Sequence, residues 1–168
     1  YRVRGRGSFV SDPDVAGVGT DGEAANSGLS IISVVLPVNR HISHDTLSGL
    51  EDRCKQDGFH ITFHNSHFNP VHERELVEQL IAEGSKGLVV YPCTGLANID
   101  LYCRLLMEDY PFIFIDRSLD CVPVPVVHCD NYGGFKNITE YIIGKGHRRI
   151  AFVGNHLLAV ESERDRLS

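Results

Sequence analysis

The chain predicts an α/β fold built on a doubly wound, mostly parallel sheet, and three observations point there. Short apolar runs (Ile31–Leu36, Gly87–Pro92, Phe112–Asp116) alternate with longer segments whose apolar residues recur at spacings of three and four. Runs of this kind suit parallel strands covered by helices on both faces, where no side of the strand meets water. Gly58, Gly84 and Pro92 mark changes from one period to the other. Strands and helices alternating at this rhythm form right-handed βαβ units. No repeat of solenoid period and no low-complexity tract interrupts the pattern.

Arg2 to Val10 alternates, with glycines at 5 and 7 available for a hairpin tip. Residues 11–29 are rich in Gly, Asp, Ser and Pro and poor in apolar side chains, and read as a linker. Ile31–Leu36, closed by Pro37, is the first strand of the sheet. A helix over 45–57 carries Leu47, Leu50 and Cys54 on one face, has Gly58 at its end, and takes Asp45 or Ser43 as its cap. Phe59–His64 is a second strand. Asn69-Pro70 caps and opens a helix whose apolar face is Leu76, Val77, Leu80 and Ile81, ending at Gly84. Gly87–Pro92 is the third strand, and a helix over 96–108 turns Ile99, Leu105 and Leu106 inward. Phe112–Asp116 is the fourth. Val124–His128 is a short fifth strand, which Pro123 and Pro125 confine to an edge. A helix over 131–145, with Phe135, Ile138, Tyr141 and Ile142 on one stripe, leads into the strand Ile150–Val153.

With 168 residues, 42% apolar and 23% charged, the chain can bury one core of moderate size. No apolar run approaches the roughly 20 residues of a membrane span, and none of signal-peptide type follows the first arginines. No membrane association and a cytoplasmic location are therefore expected. Five cysteines without a Cys-x-x-Cys pair suggest free thiols. The net charge of −6 argues against a nucleic-acid surface over most of the chain, but Arg2, Arg4 and Arg6 place +3 in the first ten residues, leaving about −9 for the rest. Those three arginines are the candidate DNA contacts, suited to a phosphate backbone or minor groove.

In an open parallel sheet a ligand sits at the carboxyl ends of the strands, where the strand order reverses. The hydrogen-bonding residues falling there are Asn39, Arg40, Asn65, Thr94, Asp116 and Arg117. Such side chains match a polyol, whose hydroxyls both donate and accept, and an Arg fork beside carboxylates can hold vicinal hydroxyls.

An apolar strand ending in Asp116-Arg117, the segment Val126-Val127-His128-Cys129-Asp130-Asn131, a helix, and then Gly146-His147-Arg148-Arg149-Ile150-Ala151-Phe152 resemble, in that order, the effector-binding domain of LacI/GalR-type repressors. That family shares its fold with periplasmic sugar-binding proteins. The segment Asn69-Pro70-Val71-His72-Glu73-Arg74-Glu75 also recurs in it, and residues 1–10 resemble the last hairpin, the wing, of a GntR-type winged helix. Together they resemble the arabinose-repressor-like subgroup, which joins the two modules. The resemblance implies a periplasmic-binding-protein-like fold of type I, incomplete: a wing at 1–10, a linker at 11–29, and a partial effector domain at 30–168 that crosses to its second lobe near 129–145. It implies that the chain is a fragment, that an isolated product exposes an apolar sheet edge, and that it does not bind sugar measurably without the missing wall. Asp116 is then an effector contact, with a helix cap or hinge hydrogen bond as the alternative role. Arg166, in Ser162-Glu163-Arg164-Asp165-Arg166, is the second contact. Asp130 and Asn131 better fit a cap for the next helix.

The function so implied is a transcriptional regulator, a repressor by type, whose domain binds a sugar or sugar derivative and thereby controls DNA binding. Its partners are that effector, DNA and a second copy of itself. A solute-binding protein of an ABC-type sugar transporter is the alternative; the arginine-rich start and five thiols oppose it. An enzyme is not expected, since no phosphate loop, Gly-x-Ser-x-Gly elbow or paired acids after the first strand occur, and no cofactor is implied. His60, His64 and His67 read as surface histidines rather than metal ligands: alternation places the first two on one strand face and the third in a loop.

Overall fold

The structure, a computed structural model, describes residues 2–3, 7–8, 29–37, 44–93, 96–119, 121–154 and 161–167. Strands β1 (Arg2–Val3) and β2 (Gly7–Ser8) pair antiparallel, Arg2 opposite Ser8 and Val3 opposite Gly7, so the expected hairpin is present in its backbone. The hairpin tip at 4–6 and most of the linker lie outside the described residues.

The main body follows the order β3 (Ile31–Leu36), α1 (His44–Gln56), β4 (His60–Asn65), α2 (Pro70–Ala82), β5 (Gly87–Val90), α3 (Ile99–Met107), β6 (Phe112–Ile115) and β7 (Val126–Val127). Its five strands lie in the order β4-β3-β5-β6-β7, and every pair is parallel. Successive strands run outward in opposite directions from β3, so the order reverses between β3 and β5, and this fixes where a crevice can open. The proline-flanked segment around 126 is an edge strand, as expected: a ring nitrogen cannot donate to a ladder, but the Pro125 carbonyl accepts from the Phe114 N–H at 3.0 Å.

Alternation along each strand divides the core into two clusters, one per face. Val35, Leu88, Val90, Phe112 and Phe114 meet Val77 and Leu80 of α2 and Leu101, Tyr102 and Leu105 of α3. Val34, Leu36, Val89 and Tyr91 point the other way, toward Leu47 and Leu50 of α1. The first cluster holds an aromatic group in which Tyr102 stands edge-on to Phe114, ring centroids 5.0 Å apart, a geometry favoured by the ring quadrupoles. On α3 the inward residues are Leu101, Tyr102 and Leu105, whereas Leu106, expected inside, is 38% exposed. At 100° per residue, Leu101, Leu105 and Tyr102 fill an arc of about 100° that faces the sheet, and Leu106 falls about 40° beyond it.

The local signals at the helix ends behave as the sequence implies. Asn69 Oδ1 accepts from the Val71 and His72 N–H groups (2.9 and 3.2 Å), with Pro70 opening α2. Gly58 has φ +78 and follows α1, where the Phe59 N–H returns to the Cys54 carbonyl at 2.8 Å. Asp45, expected as a cap for α1, lies inside its first turn instead, where its charge complements the helix dipole; Ser43 falls outside the described residues.

Beyond the sheet, α4 (Asn131–Gly144) packs against α5 (Glu161–Leu167). Asp130 caps α4, its carboxylate accepting from the Gly133 N–H at 2.8 Å. A Cβ at 133 would stand 2.2 Å from Asp130 Oδ2, so glycine is what lets the cap close. Two expectations fail here. Ile138 and Tyr141, read as one inward stripe with Phe135 and Ile142, are 54% and 64% exposed. Residues 150–153 form no strand among the described residues, and Val153 is 94% exposed. A strand exists only by pairing, and the described residues offer neither a neighbour for this segment nor a sheet for that face of α4.

Candidate functional site

The carboxyl edge of the sheet gathers side chains from three of its loops. Asn65 ends β4, Tyr91 follows β5, and Asp116 and Arg117 follow β6. The Asp116 N–H donates to the Val127 carbonyl at 2.8 Å, continuing the β6–β7 ladder one step beyond the strand, and its φ of +65 then turns the chain out of the sheet. A left-handed backbone is uncommon for a residue with a side chain, and such residues concentrate at ligand contacts and switches.

Arg117 lies against two rings. Its guanidinium carbon stands 4.9 Å from the centre of Tyr91 and 5.5 Å from that of Phe68, within the range where ring quadrupoles attract a cation. The two rings meet edge-on, 5.7 Å apart and inclined at 83°. Phe68 reaches this position from the β4–α2 loop through two consecutive left-handed residues, His67 and Phe68, at φ +54 and +55. Asn65 supports that turn, its Oδ1 accepting from the His67 N–H at 2.9 Å.

Burial pushes the Tyr91 phenol up to about 12; Arg117 pulls against that shift, and the Asp116 carboxylate, within hydrogen-bonding reach, adds to it. Tyr91 therefore keeps its proton at neutral pH and remains a donor. Two buried polar atoms in this region, Ser66 Oγ and Arg117 Nε, have no hydrogen-bond partner among the described residues. A buried donor left unpaired costs about 1–3 kcal/mol. A donor, an acceptor, a fixed cation and an exposed ring face thus converge, as recognition of a hydroxylated ligand requires.

Asn39, Arg40 and Thr94, expected at the same edge, lie outside the described residues, as do Arg4 and Arg6 of the hairpin. Arg2 is described only as a backbone position of β1. Arg166 sits on α5, where its Nε and Nη2 donate to Asn131 Oδ1 at 3.1 and 3.0 Å and its Nη1 lies 3.5 Å from Glu163. An open cavity of about 330 Å³ between α4 and α5 is lined by Phe135, Lys136, Asp165 and Arg166 among others. Asn131 is therefore more than a neighbour of the cap: Asp130 takes that role, and Asn131 holds an arginine.

The sequence reading assigned no role to Glu73, whose side chain is wholly buried. One oxygen accepts from Asn98 Nδ2 and from the Tyr102 hydroxyl, both at 2.9 Å, and the other from the Cys93 N–H at 2.7 Å. This carboxylate ties the start of α3 and the segment after β5, one wall of the edge, to α2. Its neighbour Arg74 pairs instead with Asp100, holding that exposed carboxyl below its ordinary value. Glu73 could have been found, since it continues the apolar stripe of Leu76, Val77 and Leu80 at helical spacing. A charge on that stripe must meet partners inside. The histidines are divided: His60 and His67 are exposed, while His64 buries Nε2 with no partner among the described residues. Among the described residues no three His, Cys, Asp or Glu side chains are grouped to hold a metal, all five cysteines are free thiols, and no helix is long and apolar enough to cross a membrane.

No family model matches the chain. Its sequence is 25% identical over 154 residues, 90% of the chain, to the arabinose metabolism transcriptional repressor of Geobacillus stearothermophilus. It is 28% identical over 133 residues, 79% of the chain, to the transcriptional regulator KdgR of Bacillus subtilis. Among solved structures, a protein assigned as a ribose operon repressor from Burkholderia thailandensis superposes with a TM-score of 0.70 over 82% of the chain and 52% of its own, at 25% identity. An ABC-transporter solute-binding protein from Clostridium phytofermentans with bound β-D-glucose superposes at 0.64 over 82% of the chain and 45% of its own, at 19% identity. The chain has a LacI-type, periplasmic-binding-protein-like fold. Its relatives of this type are transcriptional regulators, and it spans 40% and 39% of the length of the two named above.

Proposed function

We propose that the chain is part of the effector domain of a transcriptional repressor that senses a sugar or sugar derivative in the cytoplasm. The observation that carries this reading is the convergence of Asp116, Arg117 and Tyr91 at the carboxyl edge, beside the reversal of strand order, in a fold whose sequence relatives regulate transcription. Asp116 and Arg117 bind effector hydroxyls from this lobe with Asn65 beside them, Asn39, Arg40 and Thr94 are further candidate contacts, and Arg166 contributes from the second lobe. Lobe closure around the ligand shifts the relative placement of two DNA-binding heads in a homodimer, because the ligand binds the closed state better than the open one. The β1–β2 hairpin with Arg2, Arg4 and Arg6 is then the wing of a GntR-type winged helix. The solute-binding reading shares the fold but not the basic hairpin or the character of the relatives named above.

Asp116→Asn tests the site. In the gene product that contains this chain, the substitution should weaken binding of whichever of L-arabinose, D-ribose or D-glucose the unaltered protein takes up by about 1–3 kcal/mol, the loss expected of one charge-assisted hydrogen bond. An unchanged dissociation constant by calorimetry would remove Asp116 from the site.

A further inference from the structure

We propose that Phe68 is the positioning residue for Arg117: with Tyr91 it fixes the plane of the guanidinium, so that the Asp116–Arg117 pair meets its ligand already oriented. This rests on the reading of Asp116 and Arg117 as effector contacts, but the stack itself is a property of the unliganded chain. Phe68 belongs to the loop after β4, the edge strand, whereas Arg117 follows β6, and β3 and β5 lie between them. Nothing local in the sequence brings Phe68 there. It crosses the ends of the intervening strands through a pair of left-handed residues. An aromatic side chain held in that conformation needs compensation, and the described structure offers two contacts: the edge-on meeting with Tyr91 and the guanidinium at 5.5 Å. Phe68 remains 40% exposed, so burial alone does not account for its placement.

The consequence for recognition follows from the chemistry of arginine. A free guanidinium on a flexible stem must be ordered when ligand binds, and that ordering reduces affinity; one already stacked has lost the freedom beforehand. With the two ring centres only 5.7 Å from each other and 4.9 and 5.5 Å from the guanidinium carbon, both rings stand on one side of it, and its Nε–H is buried without a partner among the described residues. Held from that side, Arg117 meets a ligand in one orientation, which selects ligands with oxygens on the side away from the rings. Lysine could not substitute, having neither a plane nor a fork.

The test reads the Arg117 side chain directly, in the chain as it stands. A proton above an aromatic face is shifted upfield by the ring current, so the Arg117 Hε resonance should lie upfield of those of Arg148 and Arg149, which are exposed. Phe68→Leu should move it toward theirs, and Phe68→Tyr, which keeps the ring, should leave it in place, with thermal melts showing both variants folded. A wild-type Hε resonance coincident with the exposed arginines, or one that Phe68→Leu does not move, overturns the proposal. Titration of the gene product with L-arabinose, D-ribose and D-glucose separates the two ideas. If Arg117→Lys weakens binding and Phe68→Leu weakens it about 3- to 20-fold, in line with the strength of one cation–π contact, both stand. If Arg117→Lys weakens binding and Phe68→Leu does not, positioning is wrong and the site survives. If binding ignores Arg117→Lys, or none of the three sugars binds, the reading of Arg117 as a contact to such sugars fails, and the resonance shift alone decides the stack.

Discussion

Glu73 shows how a single buried carboxylate can organise a loop. Among the described residues, two neutral side chains and one backbone N–H satisfy its oxygens. The charge acts on its donors in turn. Burial first, then the Glu73 charge and hydrogen bond, push the Cys93 thiol up to about 12, and the same causes hold the Tyr102 phenol well above its ordinary value. Asn98 contributes from a left-handed position, φ +62, which its short amide tolerates. Removing one donor leaves the carboxylate short of a partner it cannot replace with water. Tyr102→Phe should therefore lower stability by about 1–3 kcal/mol in urea denaturation. A midpoint equal to that of the unaltered chain would mean that the hydroxyl contributes nothing. The stripe that includes Glu73 is legible in the sequence, but its three partners are not, because they come from positions 20 to 29 residues away.

Among the elements, the spans of α2 and α4 were equally readable, but the face a helix buries was readable only where a sheet lies behind it. α2 has Asn69-Pro70 in front and packs Val77 and Leu80 into the core, so local and tertiary preferences agree. α4 has an equally clear start at Asp130, but Ile138 and Tyr141 face solvent, since the inward stripe read from spacing presupposes a layer behind the helix. The hairpin of β1 and β2 is the reverse case: glycines and alternation predicted it, and its backbone pairs as expected. If it is a wing, Arg2, Arg4 and Arg6 touch phosphates. Replacing all three by alanine in the gene product should lower operator affinity and reduce the slope of log K against log salt by about one unit per lost contact, leaving sugar affinity nearly unchanged. An unaltered salt slope would make the segment an arm with no part in DNA binding.

For the whole molecule, the buried phenols and thiols set an alkaline limit. Tyr91, Tyr102 and Tyr110, together with Cys54 and Cys93, all titrate higher in the folded chain than in the unfolded one, chiefly through burial. In the interval between the two values the folded state keeps protons that the unfolded state has lost. Stability from these groups is therefore complete below their ordinary values, near 9 for thiols and 10 for phenols, and falls as pH rises toward 12. Urea midpoints should decline steadily from about pH 9 upward. A flat midpoint through pH 11 would contradict the burial of these groups.

The sequence by itself determined the fold class, the identity of β3 to β6 and the helices between them, and the place of β7 at an edge. Apolar periodicity, glycines and prolines act over one or two turns, and those are the distances over which a sequence can be read. It also put Asp116 and Arg117 at the carboxyl ends of strands, because strand direction in βαβ units is fixed. Only the tertiary structure decided which side chains meet there. Phe68, Tyr91 and Arg117 converge across three strand ends, Arg166 takes Asn131 as its partner 35 residues away, and Glu73 collects donors from the segment after β5 and from α3. Such contacts follow from the order β4-β3-β5-β6-β7 and the packing of helices on its two faces, and no local period encodes the sequence separations they span.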